Sequence, residues 1–147
     1  MKSILRILLA LIVGALPAWA ALGEYEGSVD LDQRVLRGGV SAQTRAGYRF
    51  HEITTPEGAV IREYVSPEGR VFGVSWHAHF IPNLQQLLGS YFPRVEEAGG
   101  AKTQRGGPLV IRSEDFVYFS AGRMMDFRGA AYVPALLPQN VRAEVVR

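Results

Sequence analysis

Three histidines are the first residues to weigh for chemistry. His77 and His79 are separated by Ala78, and on a strand residues two apart point to one face. The pair could share a zinc or copper ion, with His51 as a third ligand if its strand pairs suitably. Against this, two polar residues at a strand end are ordinary, and two histidines alone hold a metal weakly. The expectation is therefore no metal, no cofactor and no assigned catalytic residue, with His51, His77 and His79 as the candidates to follow.

Gly73-Val74-Ser75-Trp76-His77 faintly resembles a nucleophile elbow. That motif needs glycine two residues after the serine and a sharp strand-to-helix turn. Here Ser75 lies inside an expected strand and His77 replaces the glycine. Cα atoms two apart on a strand are also separated by about 7 Å. Among the carboxylates, Glu63, Glu114, Asp115 and Asp126 could serve a glycosidase only if two of them converge across a cleft. Ion pairing with Arg62, Arg112, Arg123 or Arg128 is the simpler expectation. The glycine-rich loops lack both the P-loop ending and the dinucleotide fingerprint, so nucleotide binding has no support. One apolar stretch stands apart, at 132–138. Tyr132, Val133, Leu136 and Leu137 make a candidate partner contact if this stretch lies flat on the surface; otherwise it covers its own sheet.

The elements that must position these residues follow from periodicity. Thr55-Pro56-Glu57-Gly58 and Ser66-Pro67-Glu68-Gly69 are two similar turn sequences, with proline presetting one φ and glycine accepting the positive φ that often follows. The segments 48–54, 59–65 and 70–76 around them are rich in β-branched and aromatic residues, which predicts a three-strand antiparallel meander. Alternation puts Ile61, Glu63 and Val65 on one face of the middle strand and Val60, Arg62 and Tyr64 on the other. Neither face is wholly polar, so both are partly covered.

After Pro82 the period changes. Leu84, Leu87, Leu88, Tyr91 and Phe92 follow helical spacing behind an Asn83 cap, with Gln86 placed to complete a capping box. Pro93 kinks this helix or ends it near Phe92. A strand at 109–112 running on into 116–120, a turn at Ala121-Gly122-Arg123, and a strand at 124–132 complete the pattern. Residues 21–45 read as an irregular arm that adds at most one strand, and 133–147 as an extended tail held by Pro134 and Pro138. The fold expected is α+β: an antiparallel sheet of about five strands in β-β-β-α-β-β order, with one amphipathic helix packed on it.

The N-terminus predicts export. Lys2 and Arg6 precede an apolar run from Ile7 to Leu16, then Pro17 and Ala18-Trp19-Ala20. Charge, a short apolar core and an A-x-A site describe a signal peptide, cleaved after Ala20. The run is about 10 residues long, whereas a spanning helix needs roughly 20. No cysteine follows it, which excludes a lipoprotein anchor, and no later stretch suits a membrane span. The precursor has 16 Lys+Arg and 14 Asp+Glu; losing Lys2 and Arg6 leaves 14 basic against 14 acidic residues. A neutral balance removes the usual warrant for a nucleic-acid partner. Residues 21–147 suffice for one domain, and the absence of cysteine excludes thiol catalysis and disulfide staples.

Several runs resemble a known family: Ala46-Gly47-Tyr48, His51-Glu52, Arg62-Glu63-Tyr64-Val65-Ser66-Pro67, Val71-Phe72, Trp76, Leu87-Leu88-Gly89-Ser90-Tyr91-Phe92 and Tyr132-Val133-Pro134. They are similar to the bacterial domain of unknown function 2844. The resemblance implies an exported protein of Gram-negative bacteria, hence a periplasmic or secreted location. It implies no activity, substrate or site residue, although His51 falls within the pattern. The functional expectation is a non-enzymatic binding or accessory protein of the cell envelope, with an envelope protein as partner. The alternatives are a small hydrolase or metal-dependent enzyme using His51, His77 or His79, and a self-assembling structural protein. Strand order, placement of the N-terminal arm and oligomeric state are not determined by the sequence.

Overall fold

Among the described residues of this computed structural model, 22–102 and 106–147, seven strands form one sheet. They are β1 (Gly39–Arg45), β2 (Tyr48–Thr54), β3 (Val60–Val65), β4 (Val71–Ala78), β5 (Leu109–Arg112), β6 (Val117–Arg123) and β7 (Asp126–Tyr132). Every pairing is antiparallel, and the order across the sheet is β1-β2-β3-β4-β7-β6-β5. The α+β class with an antiparallel sheet is as expected, but the sheet has seven strands and not about five. The expected signal peptide lies outside the described residues.

The two additional strands have separate physical causes. The first is β1, an edge strand whose side chains are mostly exposed on both faces. A strand buried on neither side has no hydrophobic alternation to betray it. The second comes from dividing 109–120 into β5 and β6. The Ser113 N–H and hydroxyl both donate to the Phe116 carbonyl, at 3.0 and 2.8 Å, and close a turn where the charged interruption stands. The next hairpin also moves. Pairing continues through Ala121, Gly122 and Arg123 as far as Arg123 opposite Asp126, and the turn falls at Met124-Met125, with Met125 at φ 63°. The Phe127 ring lies against Gly122, where any β-carbon would meet it at 2.4 Å, so this glycine belongs to the strand and not to the turn.

The two turn sequences of the meander behave as predicted. Gly58 N–H donates to Thr55 O and Gly69 N–H to Ser66 O, each at 2.9 Å.

Within 22–45 the chain adds the one strand allowed for the N-terminal arm, but the rest is not irregular. Residues 28–36 form a helix, α1 (Ser28–Leu36), and β1 follows. Ahead of α1, the chain runs beside the start of β4, with Gly23 N–H bonded to Val71 O and Val71 N–H to Glu24 O. The expected single helix after Asn83 is two: α2 (Leu84–Leu88) and α3 (Phe92–Gly100), joined by a 3₁₀ turn at Gly89–Tyr91. Asn83 Oδ1 accepts from Gln86 N–H at 3.1 Å, the predicted cap. Pro93 lies in the first turn of α3 and does not end a helix, since a proline there removes no intrahelical bond.

All three helices pack on one face of the sheet, here the helix face. Val29, Leu87, Leu88 and Val95 meet Ile53, Ile61, Val74, Trp76 and Tyr118 there. Burying such a side chain stabilises the fold by roughly 1.5–3 kcal/mol. The opposite, open face is covered only in part. Residues 133–147 form a strap over it, with short 3₁₀ turns at Pro134–Leu136 and Ala143–Val145 in place of a wholly extended tail. Val146 sits with Phe50, Tyr64 and Phe72 in a second apolar cluster. Gly73 permits this approach: a β-carbon there would meet the Val146 side chain at 2.7 Å. Among the described residues no helix is long and apolar enough to cross a membrane.

Candidate functional site

The register of the central strands builds a cleft on the open face. Paired residues share a face, and the pairs Val60–His77, Arg62–Ser75, Ser75–Ala130, His77–Arg128, Val117–Tyr132 and Phe119–Ala130 bring alternate positions of β3, β4, β7 and β6 to that side. The strap adds Val146 and Arg147 at one edge. Together they line a cleft of about 610 Å³, a size ordinary for small-molecule sites. Its floor and far wall are apolar, from Val60, Val117, Ala130, Tyr132 and Phe119. Phe119 is 45% exposed although large and apolar, and its cross-strand neighbour Val110 is 45% exposed as well. Three arginines, Arg62, Arg128 and Arg147, line the same cleft with His77, and among the described residues no carboxylate side chain does.

Two of these arginines are held in place by acids, and the third by its main chain alone. Arg62 Nε donates to Glu52 at 2.8 Å and its Nη1 to the Arg147 carbonyl at 3.2 Å. Arg128 Nε donates to Asp126 at 2.9 Å. The strap end is pinned by Tyr64, whose hydroxyl donates to the Arg147 carbonyl at 2.7 Å and accepts from the Arg147 N–H at 3.2 Å.

The sequence-derived candidates scatter around this cleft. His77 lies at its rim and shares a hydrogen bond with Asp126 at 3.0 Å. The Asp126 carboxyl is held below its ordinary range, first by Arg128 and then by His77. His79 lies beyond the end of β4 and opens on a different depression, beside Phe80 and Asn83. His51 is across the sheet, because its partner Glu63 pairs with Val74 on the helix face. The three histidines therefore do not converge. Among the described residues no three His, Asp or Glu side chains are arranged to hold a metal ion. Ser75 Oγ lies 3.3 Å from the Tyr64 hydroxyl and is buried, so its partner is a phenol. Of the tail candidates, Tyr132 lines the cleft, Val133 is buried in the main core, and Leu136 and Leu137 pack on the protein's own clusters.

The carboxylates divide by face. Asp115 pairs with Arg94 at 3.0 and 3.1 Å, and Asp126 with Arg128. Among the described residues Glu63 pairs with no arginine. It projects from β3 into the helix face and meets Asp32 of α1, and both are buried. Asp32 occupies the inward stripe of α1 between Val29 and Leu36. Gln86 Nε2 donates to Asp32 Oδ1 at 2.5 Å, so the expected capping-box side chain serves the acid pair instead. Neither Glu63 oxygen has a donor among the described residues. Burial pushes Glu63 well above the ordinary carboxylate range and Asp32 beside it pushes further, so the pair favours a protonated carboxyl. Asp32 is also raised, by burial, and its bonds to Glu63 and Gln86 offset part of that. Beside the pair, Glu26 binds Arg49 and lies 2.8 Å from His51 Nε2. The Arg49 guanidinium, ahead of His51, lowers the Glu26 carboxyl to about 2.

Asp32 was missed because the helix that carries it was read as irregular. The spacing Val29, Asp32, Leu36 was its signal, hidden by a carboxylate in an apolar position. Glu63 was correctly placed with Ile61 and Val65, yet expected to pair with an arginine.

A family model described as a protein of unknown function, DUF2844, matches residues 18–146. No curated protein and no solved structure matches the chain. The chain belongs to the DUF2844 family.

Proposed function

For this member of a family described only as of unknown function, we propose an exported, non-enzymatic binding protein of the cell envelope whose site is the open-face cleft. The observation that carries the reading is the cleft itself: about 610 Å³, with apolar walls, arginine on its rim, and Phe119 left half-exposed beside it. A soluble domain normally covers such a surface or uses it. The proposed location rests on the N-terminal pattern of charge, apolar run and Ala18-Trp19-Ala20. The ligand proposed is a small molecule seated on the sheet; the tail contributes Tyr132 to its seat, while Val133, Leu136 and Leu137 hold the strap down.

A hydrolase is the second reading, favoured by the contact between His77 and Asp126 at the cleft rim. A histidine oriented by a carboxylate is two-thirds of a triad. Ser75 faces the same way, but its hydroxyl is engaged by Tyr64.

The test uses the exported protein, purified and titrated with N-phenyl-1-naphthylamine, a neutral dye that brightens in apolar sites. Saturable binding is expected in the unmodified protein and a large loss in Phe119→Asp, whose exposed position leaves the fold intact. No saturable binding, or equal binding by both proteins, contradicts the reading.

A further inference from the structure

We infer that the cleft takes a molecule with an apolar body and a single anionic head, of the chemical class of a free alkyl carboxylate. This rests on the binding reading above and specifies its ligand. Charge complementarity carries it. Arg62, Arg128 and Arg147 line the cleft, and among the described residues no carboxylate side chain does. The acids that fix two of these arginines, Glu52 and Asp126, bond to part of each guanidinium only. Arg62 engages Glu52 through Nε and the Arg147 carbonyl through Nη1, and Arg128 engages Asp126 through Nε and Nη2. A guanidinium has five N–H donors, so each arginine retains donors beyond these bonds. Arginine in a fixed fork suits a carboxylate better than a flexible cation does. The same cleft offers the head's opposite: Val117, Phe119 and Tyr132 make an apolar wall on which a hydrocarbon body replaces water.

The arrangement selects by charge as well as by apolarity. A neutral analogue offers the arginine donors no charged acceptor, and a cationic one meets like charge. Each charge-assisted bond to the head is worth about tenfold or more in affinity. The head interaction weakens with salt, because the rim is open to solvent.

The experiment is displacement of bound N-phenyl-1-naphthylamine by dodecanoate, dodecanol and dodecyltrimethylammonium. The proteins are the unmodified one and the double variant Arg128→Gln, Arg147→Gln. Both arginines are exposed, so the variant's fold is checked by an unchanged melting temperature. Dodecanoate is expected to displace the dye about tenfold or more better than the other two, and to lose that advantage in the double variant while dodecanol is unaffected. A parallel arm measures co-sedimentation with phosphatidylglycerol vesicles and separates a free amphiphile from a lipid surface. Equal displacement by all three compounds overturns the inference and leaves the binding reading standing. Absence of dye binding overturns both. Co-sedimentation without displacement by dodecanoate overturns the inference in favour of a membrane surface.

Discussion

The two faces of the sheet are built from the same strands and solve opposite problems. On the helix face, Ile53, Ile61, Val74 and Trp76 are sealed by three helices, and the two acids among them, Asp32 and Glu63, are sealed in as well. On the open face, Phe50, Tyr64 and Phe72 are sealed by the strap, and the positions next along β3, β4, β6 and β7 remain as a cleft. The buried acid pair has no arginine beside it on the helix face, and the cleft arginines keep donors beyond their bonds to Glu52 and Asp126 on the open face. Burial raises both carboxyls of the dry pair, which makes it a stability element sensitive to pH. Wet arginines keep their charge and can be offered to a ligand. The two sets of charges thus sit in opposite environments, one sealed under helices and one open to solvent.

The contrast breaks most visibly under truncation. Leu87→Ala on the helix face should cost about 2–5 kcal/mol, because Leu87 is fully buried. Phe119→Ala on the open face should change stability by less than about 0.5 kcal/mol. Denaturant melts of the two variants measure both, and similar losses would abolish the distinction between the faces.

The next effect belongs to the strap. Gly73→Ala places a β-carbon 2.7 Å from the Val146 side chain, and overpacking of this kind costs about 1–3 kcal/mol. Proteolysis near 133–147 should accelerate in that variant while the helix-face amides keep their hydrogen-exchange protection. Uniform loss of protection would show that strap and core unfold together.

The acid pair sharpens the comparison through pH. Glu63 has a folded pKa raised above its ordinary 4.5. Between those two values the folded state holds more protons than the unfolded one, so stability falls as pH rises through that window. Glu63→Gln removes most of the slope and supplies a permanent N–H donor for Asp32. It should be more stable than the unmodified protein at pH 8 by about 1–2 kcal/mol, with the difference vanishing below pH 4.5. Parallel stability curves for the two proteins would contradict a protonated carboxyl in the pair.

The smallest effect is the partly exposed pair beside it. Glu26 is lowered from 4.5 to about 2, chiefly by its bond to Arg49. Its contribution is therefore complete above pH 4.5 and lost as pH falls towards 2. Glu26→Gln should cost less than about 1 kcal/mol at neutral pH and nothing at the acid end, as melts at the two pH values would report.

Much of this was legible where a residue pattern had one dominant cause. The two Pro-Glu-Gly turns announced the β2–β3–β4 meander, and alternation along β3 put Glu63 with Ile61 and Val65. Asn83 marked a helix start. The pattern failed where two causes competed. Asp32 in the inward stripe disguised α1, and exposure on both sides disguised β1. Gly122 promised a turn that the ladder carried two residues further, to Met124-Met125. The cleft was not legible at all, since Arg62, Arg128 and Phe119 are distant in sequence and meet only through the β3–β4–β7–β6 register. Nor was the separation of His51 from His77, which depends on how β2 and β4 stand across β3.

The central claim is that ligand binding belongs to the open face and leaves the helix face untouched. Amide chemical-shift mapping of the protein titrated with dodecanoate tests it most directly. The account predicts saturable shifts at Arg62, Ser75, His77, Phe119, Ala130 and Tyr132, with Asp32, Leu87 and Val95 unmoved. Shifts centred on α1 and Glu63, or no saturable shifts anywhere, would contradict it.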